Sequence, residues 1–270
     1  MTSETLHTTK LEIPKIGLGT YKLNDAEGQQ AILHALEVGY RHIDTAKMYA
    51  NETEVGNAIR LSQMDRDSIF VTTKIWPSDF NDLLAKTEDS LRQLRTDHVD
   101  LLLLHWPTDE LTNQRGAELL LKAQEKGYAK HIGVSNFTIA QLKTTLEIAP
   151  IVCNQVEYHP FLGQTKMLDF LRDNALFLTA YRPLALGNID HEALLQSLAE
   201  KHQKTVGQIV LRWLIQQQDV VVIPKSGNKA RQLENISIFD FELSEDEMHA
   251  MFALNRNERL TNPETAPRWD

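Results

Sequence analysis

Several features that mark particular protein classes are scarce or absent in this sequence. Cys153 is the only cysteine among 270 residues, which excludes an intrachain disulfide, and its place in the apolar stretch IVCNQVEY predicts a packed thiol. No segment approaches about 18 uninterrupted apolar residues, and the N-terminal MTSETLHTTKLEIP lacks a basic region followed by a long apolar one. We therefore expect no membrane span, no signal peptide and a cytoplasmic location.

Positive charge is also in short supply. Lysine and arginine number 28 against 37 aspartates and glutamates, which gives a net charge of -9 and a pI near 5.6. Such a field repels polyanions, so we expect no nucleic-acid partner, although a local basic cluster can still hold a small anion. The apolar fraction of 42% and the charged fraction of 24% are those of an ordinary globular protein.

Short apolar runs, each closed by polar residues, recur along the chain. Eight of them can be counted: KIGLGT, HIDTA, IFVTTK, DLLLLHW, HIGVSN, VCNQVEY, FLTAYRP and VVVIPKS. Stretches with helical spacing separate them, so βαβ units and a parallel sheet are predicted, either open and doubly wound or closed as a barrel. Eight repeats favour an α/β fold in the form of a single (β/α)8 TIM barrel spanning residues 1–270.

Helix start signals support the same alternation. Asn24 precedes a stripe of Ala31, Ile32, Ala35 and Leu36, with Glu27 three residues after the cap. A second stripe contains Leu83, Leu84, Leu91 and Leu94. The same start signal recurs as Thr138 with Gln141, Thr205 with Gln208 and Ser244 with Glu247.

Polar side chains stand at the carboxyl ends of these predicted strands. They are Asp44, Lys74, His105, Ser135, Asn136, Gln155, Tyr181, Lys225 and Ser226. In a barrel, the carboxyl ends of all strands converge on one mouth, which is where active sites are built. We therefore expect these residues to surround one cavity.

Four residues of this mouth have a shared chemical purpose. A buried Lys74 favours the phenolate form of Tyr49, and the Asp44 carboxylate keeps that lysine charged, so Tyr49 is expected to donate a proton well below the usual tyrosine pKa of about 10. His105 can then orient a carbonyl oxygen by a hydrogen bond. Taken singly, these residues have plainer interpretations. Asp44 and Lys74 can form a structural ion pair at the rim, Tyr49 can be a surface aromatic residue in a loop, and His105 can be a hydrogen-bonded core histidine.

The motifs that carry these residues resemble those of the aldo-keto reductases. GYRHIDTAKMYANETEVGNAI, residues 39–59, is similar to the family's first signature, and TTKIW, LLLLHWP, IGVSNF, NQVEYHP and VIPKSGNKARQLEN follow in the family's order. The resemblance implies a barrel that binds NADPH without a Rossmann domain, consistent with the lack of a G-x-G-x-x-G motif. It also implies carbonyl reduction by a catalytic tetrad of Asp44, Tyr49, Lys74 and His105, in a monomer.

Candidate cofactor residues follow from their chemistry and from the resemblance. Ser135, Asn136 and Gln155 suit a carboxamide, the face of Tyr181 suits a nicotinamide ring, and Arg231 with Lys225 and Ser226 suits a 2'-phosphate, which predicts NADP over NAD. A solvated basic loop is the alternative for the last group. The resemblance adds Arg182, Pro183, Leu184, Glu234 and Asn235 on the cofactor side, and Tyr21, Trp76 and Trp106 on the substrate side, where rim packing is the alternative for the tryptophans.

Three departures from the family pattern affect these expectations. Ala50 stands where glycine is common, and Arg182 replaces a small residue, from where it can reach the cofactor pyrophosphate or an acidic substrate. Only about seven residues follow HWP before the next helical pattern, which predicts an open pocket. The short loop and the PRWD ending resemble a bacterial branch that reduces 2,5-diketo-D-gluconate and methylglyoxal.

Two other function classes remain as alternatives. One is a nicotinamide-binding sensor or regulatory barrel with slow turnover. The other, a metal-dependent hydrolase, lacks an H-x-H on its first strand, and Lys74 would repel a cation, so we expect no metal.

Overall fold

The computed structural model describes residues 4–8 and 11–270, and within them the strands form two sheets. A two-stranded antiparallel hairpin comes first, formed by β1 (Thr5–His7) and β2 (Glu12–Pro14). The parallel sheet contains β3 (Leu18–Gly19), β4 (His42–Asp44), β5 (Phe70–Ile75), β6 (Val99–Leu104), β7 (Ala129–Ser135), β8 (Cys153–Glu157), β9 (Phe177–Tyr181) and β10 (Val220–Val222).

The parallel sheet closes on itself. Strands β3 to β10 are neighbours in chain order. The last strand returns to the first through parallel bridges between Ile16 and Val222 and between Gly19 and Lys225. The Gly17 amide donates to the Val222 carbonyl over 2.8 Å, and the Gly19 amide donates to that of Pro224 over 3.1 Å. The predicted (β/α)8 barrel is therefore confirmed.

Helices cover the outside of the barrel. In the described part of the chain they are α1 (Asp25–Glu37), α2 (Glu52–Ser62), α3 (Leu83–Leu94), α4 (Glu110–Glu125), α5 (Ile139–Ile148), α6 (Thr165–Asp173), α7 (Ala193–His202), α8 (Val206–Gln216), α9 (Lys229–Ile236) and α10 (Glu245–Phe252).

Two apolar clusters explain why the strands are continuously hydrophobic. Leu102 and Leu104 of β6 join the large cluster between barrel and helices, whereas Leu101 and Leu103 join a smaller cluster that also contains Cys153. Successive side chains of a strand point to opposite faces, so a strand with both faces buried needs no polar residue. Hairpin residues contribute to the smaller cluster, and burial raises the pKa of the Cys153 thiol, which confirms the packed cysteine.

Helices begin at all four predicted start signals, and three of these signals form side-chain caps. Capping boxes form at Thr138, Thr205 and Ser244, where each side chain accepts from the backbone three residues on. Asn24 precedes α1 without making a side-chain cap. Its side-chain amide instead donates to the Tyr49 carbonyl over 3.1 Å, and the Asp25 carboxylate accepts from the Glu27 backbone amide over 3.0 Å.

The loop after HWP is even shorter than predicted. Only Thr108 and Asp109 separate Pro107 from α4, and the Asp109 carboxylate caps that helix by accepting from the Thr112 amide over 3.0 Å. The loop after β6 is therefore too short to cover this side of the mouth.

Candidate active site

Three adjacent strands deliver the charged and polar groups predicted for the mouth. Asp44 is the last residue of β4, Lys74 the penultimate residue of β5, and His105 the first residue after β6. Because parallel strands run in one direction, their carboxyl ends meet at the same rim. All three side chains are buried there, with exposures of 1%, 0% and 7%.

Asp44 and Lys74 form a buried ion pair. The Lys74 ammonium donates to Asp44 Oδ1 over 2.5 Å and to the Thr45 carbonyl over 2.8 Å. The other carboxylate oxygen accepts from the Gln155 amide over 2.8 Å. Burial opposes the charge on Lys74, but attraction to Asp44 and to the Tyr49 phenol outweighs it, so the pKa of Lys74 is raised and the group is an ammonium.

Tyr49 reaches the same cavity from the loop after β4. It ends a short 3-10 helix, Lys47–Tyr49, and its ring centroid lies 5.1 Å from the Lys74 ammonium and 5.7 Å from the His105 ring centroid. The next residue, Ala50, has a φ of 54°, a left-handed conformation that explains why glycine is favoured at this position. The structure therefore brings the four predicted residues together.

The pKa of Tyr49 corrects one expectation. Burial raises this pKa, the charge of Lys74 lowers it, and the net result is a pKa above the ordinary tyrosine value. The expected pKa well below 10 was therefore wrong, because desolvation of the phenolate outweighs the ammonium. The phenol is protonated at neutral pH, which is the state a proton donor needs.

His105 is a neutral imidazole. Burial, followed by the charge of Lys74, lowers its pKa well below the usual histidine value. Its backbone carbonyl accepts from the Asn136 amide over 3.1 Å, while Nδ1 has no hydrogen-bond partner among the described residues. A neutral imidazole can donate one N-H to a carbonyl oxygen without adding a charge to the cavity.

The three residues predicted for the substrate side have different surroundings. Tyr21, 44% exposed, packs edge-on against Tyr49 at 5.1 Å, and Trp76 packs edge-on against His105 at 5.1 Å. Both therefore border the polar cluster. Trp106 is buried and its ring faces that of Trp269 at 6.1 Å, an arrangement that matches the alternative of rim packing.

Four predicted cofactor residues form one hydrogen-bonded group beside the cluster. The Ser135 hydroxyl donates to the Gln155 carbonyl over 2.8 Å, and the Tyr181 hydroxyl donates to the Asn136 side chain over 2.7 Å. The Tyr181 ring is partly exposed, and its hydroxyl is fixed, so the ring has a defined orientation. That orientation fits a platform for a flat heteroaromatic ring such as nicotinamide.

Arg182 lies beside the C-terminal end of the chain. Its Nη1 donates to the Leu260 carbonyl over 3.1 Å, so the side chain is tied to the C-terminal segment. The following Pro183 is buried and Leu184 is partly buried, at the start of a loop in which Ala185, Leu186 and Gly187 all have positive φ.

The basic cluster lies where β10 meets α9. Lys225 and Arg231 are exposed, and neither has a carboxylate within 4.0 Å in the described part of the chain. Asn228 caps α9 by accepting from the Arg231 amide over 3.0 Å. Arg231 lies in the first turn of α9 and Lys225 in the loop before it, where cations and free backbone amides would suit a phosphate group of a nucleotide.

The remaining predicted cofactor residues are more enclosed. Ser226 and Asn235 are buried, and the Ser226 hydroxyl accepts from the Asn228 amide over 3.1 Å. Glu234 is partly buried and accepts from the Thr205 hydroxyl over 2.7 Å. In this arrangement Ser226 shapes the loop ahead of α9.

A buried carboxylate that the sequence reasoning did not single out organises the opposite edge of the mouth. Glu157, with 0% exposure, is paired in register with Tyr181. It accepts from the backbone amides of Leu260 and Thr261, each over 2.7 Å, and lies 3.0 Å from His159 Nε2. The signal was available, because a glutamate inside the apolar run CNQVEY is as unusual as His105 after its leucines.

We call residues 253–270 the C-terminal strap, because Glu157 and several smaller contacts hold this segment on the barrel. The backbone amide of Glu258 donates to the Phe161 carbonyl over 2.9 Å. The Asp270 carboxylate accepts from the Ile139 amide over 2.9 Å. Trp269, which faces Trp106, therefore belongs to the wall beside His105.

Residues 4–8 and 11–270 contain neither a metal-binding cluster nor a membrane-spanning helix. No group of three or more His, Cys, Asp or Glu side chains there is arranged to hold a metal ion. No helix in that part of the chain combines the length and the apolar character required to span a bilayer.

Comparison with known proteins gives consistent matches. The sequence model of the Aldo/keto reductase family matches residues 15–256. Glyoxal reductase of Bacillus subtilis is 41% identical over 261 residues, covering 94% of each chain. Methylglyoxal reductase DkgB of Yersinia pestis is 38% identical over 268 residues, covering 96% of this chain and 100% of the relative.

Solved structures agree with these matches. A crystal structure provisionally assigned as a 2,5-diketo-D-gluconic acid reductase B has a TM-score of 0.97 and 41% identity, covering 100% of this chain and 98% of the other. An aldo/keto reductase from Brucella melitensis has a TM-score of 0.89 and 39% identity, covering 94% of this chain and 100% of the other.

Proposed function

This chain belongs to the aldo/keto reductase family, and from that premise we propose that it reduces small aldehydes and ketones to alcohols with NADPH. Methylglyoxal and keto-sugars such as 2,5-diketo-D-gluconate are the proposed substrates. The names of the relatives support the reaction class, and the short loop after His105 supports access for small polar carbonyls.

Tyr49 is the proposed proton donor. Bound NADPH supplies the hydride that the carbonyl carbon accepts. The Tyr49 phenol gives its proton to the carbonyl oxygen, and the Lys74 ammonium stabilises the phenolate that remains. His105 orients the same oxygen by donating a hydrogen bond from its neutral ring, and Asp44 keeps Lys74 charged.

The observation that carries this proposal is the close approach of three side chains: the Tyr49 ring centroid lies 5.1 Å from the Lys74 ammonium and 5.7 Å from the His105 ring centroid. At rest the Tyr49 phenol stays protonated, because burial raises its pKa more than the charge of Lys74 lowers it. The same arrangement is useful when a proton must leave the phenol in the transition state, because the ammonium then offsets the developing negative charge.

The test is turnover by wild type, Tyr49→Phe and Tyr128→Phe with methylglyoxal, followed by the loss of NADPH absorbance. Tyr128 is a matched control, since it precedes β7 at the end of the barrel opposite the mouth and its hydroxyl donates to Glu88. Loss of a general acid predicts a fall in kcat of about 100-fold or more for Tyr49→Phe and little change for Tyr128→Phe. Near wild-type turnover by Tyr49→Phe would remove Tyr49 from the acid role. A wild type that binds NADPH but turns over only slowly would instead favour the regulatory barrel.

The proposed preference for NADP rests on the unpaired cations. A guanidinium matches phosphate oxygens, and Arg231 has no competing carboxylate partner within 4.0 Å among the described residues. Fluorescence titration with NADPH and NADH should show tighter binding of NADPH in wild type and a smaller difference in Arg231→Gln. Equal affinities in wild type would contradict the preference.

A further inference from the structure

Arg259 of the C-terminal strap has no ion-pair partner within residues 4–8 and 11–270. In the described part of the chain, no carboxylate lies within 4.0 Å of its guanidinium, and its buried Nη1 has no hydrogen-bond partner. Arg256, three residues earlier, is different, because it forms ion pairs with Glu192 at 3.7 Å and Glu258 at 2.7 Å. Arg259 as a whole is partly buried, but a buried guanidinium nitrogen in a folded protein is normally hydrogen-bonded, so the orphaned Nη1 requires an explanation.

Glu157, a buried carboxylate near Arg259, already has other hydrogen-bond partners. Its oxygens accept from the backbone amides of Leu260 and Thr261, and one of them lies beside His159, so the carboxylate does not pair with Arg259. The hydrogen bonds to Glu157 fix Leu260 and Thr261, which directly follow Arg259, and they thereby restrict where the guanidinium can lie.

Aromatic groups place Arg259 at the mouth. Its guanidinium carbon lies 3.7 Å from the centroid of the Trp269 ring, and Trp269 faces Trp106, the residue after His105. Burial raises the pKa of the Tyr181 phenol, and the charge of Arg259 opposes this rise, so Arg259 also lies near the proposed cofactor platform. Stacking holds the planar guanidinium and leaves its edge for hydrogen bonds.

We propose that Arg259 determines specificity by binding a carboxylate on the carbonyl substrate, so that keto and aldehyde acids are preferred over neutral carbonyls of equal size. The inference rests on the proposed reductase function and extends it to a substrate class. A protein with a net charge of -9 needs a local cation to attract an anionic substrate, and a guanidinium fork binds a carboxylate through two parallel hydrogen bonds.

A matched substrate pair tests the proposal. Glyoxylate and methylglyoxal share an aldehyde and are similar in size, but only glyoxylate is charged. Wild type should have the higher kcat/KM for glyoxylate. Arg259→Gln should lower that value by about 10- to 100-fold, as expected for charge-assisted hydrogen bonds, and leave methylglyoxal nearly unchanged. Arg259→Lys should recover part of the loss, and Arg256→Gln should change neither substrate.

Other outcomes overturn the proposal. An equal loss for both substrates would make Arg259 a structural residue, weaker NADPH binding would assign it to the cofactor, and a wild type that prefers methylglyoxal would exclude the carboxylate role. If wild type reduces neither substrate, the proposed function fails separately. Titration of tryptophan fluorescence with oxalate then tests Arg259 directly, because wild type should bind oxalate at least tenfold more tightly than Arg259→Gln, and equal binding would refute the anion site.

Discussion

Replacement of Lys74 by methionine tests whether each charge of the buried ion pair offsets the desolvation cost of the other. The substitution keeps an unbranched side chain of similar length and removes the ammonium. Asp44, 1% exposed, then keeps only the 2.8 Å hydrogen bond from Gln155 and loses the one that carried a positive charge. A buried carboxylate without a counter-charge is strongly unfavourable.

The expected magnitude follows from that loss. Breaking a buried pair by removing one partner costs about 3–5 kcal/mol, whereas replacing both partners by neutral groups of similar shape costs much less. Lys74→Met should therefore lower the free energy of unfolding by about 3–5 kcal/mol, and Asp44→Asn combined with Lys74→Met should recover a large part of it. Carbonyl reduction should fall by about 100-fold or more in both variants, because neither retains the ammonium beside Tyr49.

Urea unfolding at neutral pH, monitored by tryptophan fluorescence, measures the stability of wild type, both single variants and the double variant. NADPH oxidation with methylglyoxal measures activity in the same preparations. A Lys74→Met variant whose free energy of unfolding lies within about 1 kcal/mol of the wild-type value would refute the reasoning, since the buried Asp44 charge would then not depend on Lys74. A double variant less stable than Lys74→Met would refute it as well.

Two further predictions concern the loops around the mouth. Glu157→Gln should speed hydrogen exchange at the Leu260 and Thr261 amides far more than Asp100→Asn, a control that removes a carboxylate buried with Arg66 and Lys130 instead. Hydrogen bonds lower the pKa of Glu157 despite its burial. Ionised Glu157 therefore stabilises the fold fully above its ordinary pKa of 4.5, and this contribution is lost as the pH falls through the lower pKa of the folded state. This pH dependence of the free energy of unfolding should be absent in Glu157→Gln. Ala50→Gly should raise the melting temperature or leave it unchanged, because the φ of 54° favours glycine; a clear decrease would contradict this.

The fold could be predicted because its signals are local. Each apolar run is long enough for one strand, and a strand such as β6, with both faces buried, has four consecutive leucines between Asp100 and His105. Parallel connectivity then brings the ends of successive strands together without knowledge of any contact. Asp44 and Lys74 were predictable as neighbours for this reason.

Features that depend on competing contacts were not predictable. The Asn24 side chain could cap α1 or bind the Tyr49 loop, and only the packed structure decides between them. The sign of the Tyr49 pKa shift depends on the balance of burial against one charge, which no sequence pattern records. Glu157 and Leu260 are 103 positions apart, so their hydrogen bond has no local signal.

The position of the ion pair above an apolar layer explains how the barrel sets up its chemistry. Leu101 and Leu103 fill the interior beside β5, so the Lys74 ammonium cannot be solvated from within and depends on Asp44 and the Thr45 carbonyl. Together the pair has no net charge, but its ammonium lies only 5.1 Å from the centroid of the Tyr49 ring. In a dry cavity this fixed charge interacts strongly with any negative charge that forms on Tyr49. The phenol is therefore neutral at rest and becomes acidic only when a carbonyl oxygen is ready to accept its proton.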